Sequence, residues 1–169
     1  IAFLSGRDGT TQIYVMPLDG SEAPKQITHH SEGYQLHGWF PDGESLLATG
    51  RRDHYWRDAD RMIRVWIDGD RGEHVLADAM AEFPDLSPDG KQILFVCEGE
   101  RWWRKGYTGE RAAQIWLFEI ESGKFTELIH DGFECYWPQW NSKGDGFYYT
   151  RGEHSGAALW HARLTGEAE

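Results

Sequence analysis

Two stretches of this chain concentrate side chains that could recognise a charged ligand. One runs from Arg51 to Arg61 and carries Arg52, His54 and Trp56; the other runs from Glu98 to Arg111 and carries Trp102, Trp103, Arg104, Lys105 and Tyr107. A guanidinium presents a planar fork of donors that matches a carboxylate, an ammonium adds a point charge, and neighbouring aromatics supply a rigid apolar wall. That combination suits a carboxylate or the end of a peptide. The same tryptophans could instead plug one loop onto the next structural element, with the arginines stacked on them or solvated; the residue types alone leave both readings open.

Other groupings carry less chemistry. His154-Ser155-Gly156 sets a base beside a hydroxyl, but in a short connection that ordinary turn chemistry explains. His29, His30 and Glu32 could lend ligands to a metal, yet adjacent side chains on an extended segment diverge and no third histidine is placed beside them. Asp42 and Asp89 each stand alone in a Pro-Asp-Gly turn, where capping rather than calcium accounts for them. No Gly-x-Ser-x-Gly elbow, His-Glu-x-x-His pair or phosphate-binding glycine loop occurs. The chain is therefore expected to hold no catalytic residue, metal or cofactor.

The elements that must position these residues are read from a repeat. Short apolar strands with a central aromatic recur at Ile13-Tyr14-Val15, Val65-Trp66-Ile67, Ile115-Trp116-Leu117 and Leu159-Trp160-His161. Successive central aromatics lie about 50 residues apart, the length of a sheet of four strands. Each is preceded by an apolar strand, at Ile1 to Leu4, Leu46 to Thr49, Ile93 to Val96 and Phe147 to Thr150, and three are followed by another, at Lys25 to Thr28, His74 to Ala77 and Phe125 to Ile129. Phe40-Pro41-Asp42-Gly43, Ser87-Pro88-Asp89-Gly90 and Asn141-Ser142-Lys143-Gly144 supply the hairpin turns before the apolar strands. No apolar period of 3.6 residues persists.

The fold class is thus all-β: a β-propeller of four-stranded antiparallel blades, about three and a half of them, spanning roughly 1–33, 34–80, 81–131 and 132–169. Because the count is fractional and the chain opens inside an apolar run, it reads as part of a six- or seven-bladed ring. As an isolated arc it is expected to aggregate or stay partly molten, since blade faces would be unburied. With the strands of a blade lettered A to D in order, the two basic and aromatic stretches are insertions between B and C of the second and third blades. In such a blade the B–C and D–A connections emerge on one face, which makes that face the candidate binding surface.

Composition narrows the partners. The formal net charge is −11, the wrong sign for a nucleic-acid backbone, and no run reaches the ~18 apolar residues of a membrane span. Cys97 and Cys135 are too few for a disulfide framework and are read as free, largely buried thiols.

Ser87-Pro88-Asp89-Gly90, followed by a B strand and an Ile-Trp strand, resembles the repeats of TolB-type propellers. Trp103-Arg104-Lys105-Gly106-Tyr107-Thr108-Gly109 leading into Gln114-Ile115-Trp116 is similar to a loop in the first propeller of tricorn-type serine peptidases. That resemblance implies a segment that is itself non-catalytic and handles peptide substrates, with Arg104 and Lys105 anchoring the free carboxylate; the peptidase domain and the remaining blades would be its partners in the parent chain. It also implies a cytoplasmic, homo-oligomeric parent. The TolB resemblance implies instead a non-enzymatic, periplasmic propeller that uses the same face for a partner protein. A propeller glycan lyase or hydrolase would need clustered acids or metal ligands at the ring centre, and the sequence places none.

Overall fold

The computed structural model describes residues 1–51, 60–99, 107–154 and 156–164. It divides into two compact units, Ile1–Ala79 and Met80–Glu169, and the described residues form strands without a helix.

In the first unit, β1 (Ala2–Ser5), β2 (Gln12–Val15) and β3 (Lys25–Gln26) form one antiparallel meander. The next is built from β4 (Gln35–Trp39), β5 (Ser45–Gly50), β6 (Arg61–Trp66) and β7 (Glu73–Ala77). In the second unit, β8 (Glu82–Leu86), β9 (Gln92–Cys97), β10 (Gln114–Glu119) and β11 (Lys124–Ile129) form a four-stranded sheet. A three-stranded one follows from β12 (Cys135–Trp140), β13 (Gly146–Glu153) and β14 (Gly156–Arg163). These are blades of a β-propeller, in the order that the sequence repeat implies.

The sheets exist because their central strands bury both faces. β5 is buried throughout, and Ile93 to Val96 of β9 are 0–2% exposed, as expected of strands that read as continuous apolar runs. Within the first unit Ile13, Leu46, Ala48, Ile63 and Val65 pack in one core; within the second, Leu94, Ile115, Leu117, Phe147 and Tyr149 do the same. Each buried aliphatic side chain contributes about 1.5–3 kcal/mol of transfer free energy.

The turns bear out the chemistry of their residues. Gly43, Gly90 and Gly144 sit at φ +68°, +73° and +72°, and each donates its N–H to the carbonyl three residues earlier. Asp42 Oδ1 accepts the N–H groups of Glu44 and Ser45 (2.9 and 3.1 Å), and Asp89 Oδ1 accepts that of Lys91 (3.1 Å). In the fourth repeat, which lacks the proline and the aspartate, Asn141 Oδ1 takes over by accepting from Lys143 and Gly144.

Two departures from simple alternation matter. The strand expected over Lys25 to Thr28 ends as regular pairing at Gln26, because Thr28 Oγ1 replaces a backbone acceptor for the Ile13 N–H (2.9 Å). Every A–B pair is also bulged: between Leu36 and Gly38, Glu82 and Asp85, and Tyr136 and Gln139. In the last two the extra residue is an aromatic before proline, Phe83-Pro84 and Trp137-Pro138, with Phe83 at φ +50° and Trp137 at φ +53°. A residue before proline is normally driven to extended conformations, so each costs on the order of 1–3 kcal/mol.

Candidate functional site

In the first unit the B–C and D–A connections meet. The β1–β2 loop at Gly9 to Thr11, the β3–β4 connection at Glu32 to Tyr34, and the two ends of the first insertion, Arg51 and Asp60, border an open cleft of about 530 Å³. Its walls are tied together: the Tyr34 N–H donates to the Thr11 carbonyl (2.9 Å), and the Gln12 side-chain Nε2 donates to the His30 carbonyl. Gly33 sits at φ +74°, and a Cβ there would come within 2.7 Å of the Thr11 oxygen, so only glycine permits this approach. Arg51 Nε and Asp60 Oδ1 lie 3.6 Å apart and staple the base of the insertion. Glu32, Asp60, Arg51 and the threonine hydroxyls give the cleft a partly polar lining.

In the second unit the returning limb of the other insertion lies on the β11–β12 connection. Thr108 bridges to Phe133, Gly109 N–H donates to the Gly132 carbonyl (3.0 Å), Ala113 N–H to Glu134 Oε2 (2.8 Å), and Cys135 N–H to the Ala113 carbonyl (3.1 Å). Tyr107, half-buried, folds over Gly109, where a Cβ would meet its hydroxyl at 2.8 Å. Arg151 is fully engaged beside them: its guanidinium lies 3.8 Å from the Phe133 ring centroid and 2.6 Å from Asp131 Oδ2. Burial pushes the thiol of Cys135 and the phenol of Tyr149 up to about 12, so both stay protonated at neutral pH.

Of the residues singled out from sequence, Tyr107 is placed as above. Arg52, His54, Trp56, Trp102, Trp103, Arg104 and Lys105 lie outside the described residues. Arg51 and Asp60 lie in the first stretch read as a candidate binding insertion and Glu32 in a D–A connection; the pairing of Arg51 with Asp60 across the base of the insertion was not read from the sequence. Among the described residues no three His, Cys, Asp or Glu side chains are grouped to hold a metal, and both cysteines are free thiols. His30 Nδ1 lies 3.3 Å from the Glu32 N–H and accepts from it, which orients the imidazole within its own loop.

Successive antiparallel meanders of three and four strands, joined in sequence order, define a β-propeller domain. The chain belongs to the family described as the tricorn protease N-terminal beta propeller domain, which matches residues 1–169. It is 29% identical over 139 residues to Tricorn protease homolog 1 of Streptomyces coelicolor, a match covering 79% of this chain and 12% of that protein. Among solved structures, TolB from Acinetobacter baumannii superposes with a TM-score of 0.72 over 99% of this chain and 40% of that one, at 14% identity. The tricorn protease superposes with a TM-score of 0.66 over 96% of this chain and 16% of that one, at 12% identity. At such identities the two structures speak to the fold alone. The chain spans about an eighth of its Streptomyces relative.

Proposed function

We propose that this propeller segment handles peptide substrates for a tricorn-like serine peptidase, without contributing catalytic residues itself. Arg104 and Lys105 are the candidates for holding the free carboxylate of the peptide, and Trp102, Trp103, Tyr107, Arg52, His54 and Trp56 are further candidate peptide contacts. The observation that supports this reading is the anchoring of the Tyr107 to Ala113 limb on the Phe133 loop, in a chain of the tricorn propeller family. A loop tied so at its foot can present a cation without paying the full cost of ordering it on binding. The catalytic groups belong to another part of a longer, cytoplasmic, homo-oligomeric parent.

Alanine at both Arg104 and Lys105 in the full-length protein tests it. Losing a charge-assisted contact costs about 1.5–3 kcal/mol, so KM for peptides with a free carboxylate should rise roughly 10- to 150-fold while amidated peptides are unaffected. Equal effects on both peptide classes would sink the carboxylate role. A second reading, an interaction propeller of the TolB kind, draws on the superposition with TolB over nearly the whole chain. It predicts loss of a protein partner with no change in any peptide kinetics.

A further inference from the structure

The second unit carries an aromatic group that neither reading uses. Phe83 on β8 and Trp137 on β12 are 41% and 49% exposed, and their ring centroids lie 5.7 Å apart at 62°. Tyr136 completes the group, at 6.1 Å from Phe83 and 5.6 Å from Trp137. Both outward-facing residues occupy the first strand of a blade, the strand that borders the central channel of a propeller.

Three things separate this group from ordinary surface aromatics. Phe83, Trp137 and Glu98 are the non-glycine residues at positive φ among the described residues, and all three stand around this spot. Glu98 precedes Gly99, whose Cα faces the Tyr136 hydroxyl so closely that a Cβ would meet it at 2.5 Å. Strained backbone of this kind persists where the surroundings hold it in place, and it gathers at ligand clamps. Second, the outward turn is particular to the two blades that carry a proline at the bulge. Leu36, which stands in the same relation to its Pro-Asp-Gly turn as Phe83 does, packs against the core of its own unit instead. Third, an acid stands at this spot: Glu98 is exposed, and its neighbour Gly99 is the residue that meets the Tyr136 hydroxyl.

Exposed aromatic faces with an acid one residue from the Gly99 contact attract a cation through the ring quadrupole and through direct charge. An aliphatic or aromatic side chain would gain nothing from the acid. We infer that Phe83, Tyr136, Trp137 and Glu98 form a receptor for the guanidinium or ammonium group of an arginine or lysine side chain in an extended peptide. The site recognises a basic side chain, whereas the loop at Arg104 recognises a chain end, so it does not rest on the peptidase reading.

The test uses the full-length protein and acetylated, amidated Gly-Gly-Arg-Gly-Gly against its citrulline counterpart, which keeps the shape and removes the charge. Calorimetric titration should show the arginine peptide binding about 2- to 30-fold more tightly, the span of a cation–π contact from exposed to desolvated. Trp137→Leu should abolish that preference, Trp137→Phe should leave part of it, and Glu98→Gln should reduce it. The preference should persist when Arg104 and Lys105 are both alanine, because these peptides have no free carboxylate. Equal affinity of the wild-type protein for both peptides overturns the proposal whether or not the leucine variant folds. An undiminished preference in folded Trp137→Leu or Trp137→Phe overturns it as well.

Discussion

His37 gives the first unit a pH-sensitive joint. It stands at the bulge of β4, with Nε2 2.8 Å from Thr49 Oγ1 on β5, and burial lowers its pKa from 6.5 to about 4. The depressed value fixes the sign. Above pH 6.5 the imidazole is neutral folded or unfolded and nothing changes; below it the unfolded chain takes up the proton first, so stability falls until the pH passes the folded pKa near 4. Linkage with these two values gives a loss of about 2 kcal/mol at pH 5, and water reaching the partly buried ring brings that towards about 1 kcal/mol. Asp42, Asp68 and Asp89, all lowered, act in a different window, losing their contribution only as the pH drops below the ordinary carboxylate range. Hydrogen exchange of the β4–β5 hairpin in the full-length protein, corrected for the intrinsic pH dependence of exchange, reads the opening free energy directly. Between pH 7 and pH 5 the wild type should lose this increment, and His37→Gln, which can still bond Thr49 but does not titrate, should not. Parallel losses in the two proteins would refute the assignment of the joint to His37.

Two further outcomes follow from the second unit. Gly99→Ala should cost at least about 1 kcal/mol from its φ of +111°. It should also displace the Tyr136 ring, whose hydroxyl stands where the new methyl must go, so a thermal melt should show the loss and the preference for arginine over citrulline peptides should shrink with it. The Cys135 thiol, 0% exposed and pushed up to about 12, should resist an aromatic disulfide reagent at pH 8 until the domain unfolds; labelling within minutes in the native protein would contradict the burial.

Much of this fold was legible because its blades are built from local signals. A turn such as Phe40-Pro41-Asp42-Gly43 specifies its own φ values and its own caps. A strand buried on both faces, such as Ile93 to Val96, announces itself as an unbroken apolar run. The site was less legible, since its anchors are set between segments that are distant in sequence. Nothing in the residues near Gly33 says that Thr11 must approach it, and nothing near Ala113 says that the Glu134 carboxylate will receive its N–H. The return limb was visible as composition; what holds it was not.

The aromatic bulges failed to show for a more specific reason: a local rule pointed the wrong way. A residue before proline favours extended backbone, which would keep Phe83 and Trp137 in the alternation of their strands. Yet both prolines are buried, and a proline can be buried at a bulge without stranding an N–H that it does not have. With proline taking the inward place and one extra residue accommodated opposite Phe95 or Tyr149, the preceding aromatic is forced to positive φ and out of the core. In the blade without that proline, the corresponding Leu36 packs inward. Sheet pairing therefore overrides the dipeptide preference in two adjacent blades, and the residues that bear the strain are the ones left facing outward, where a cation can reach them.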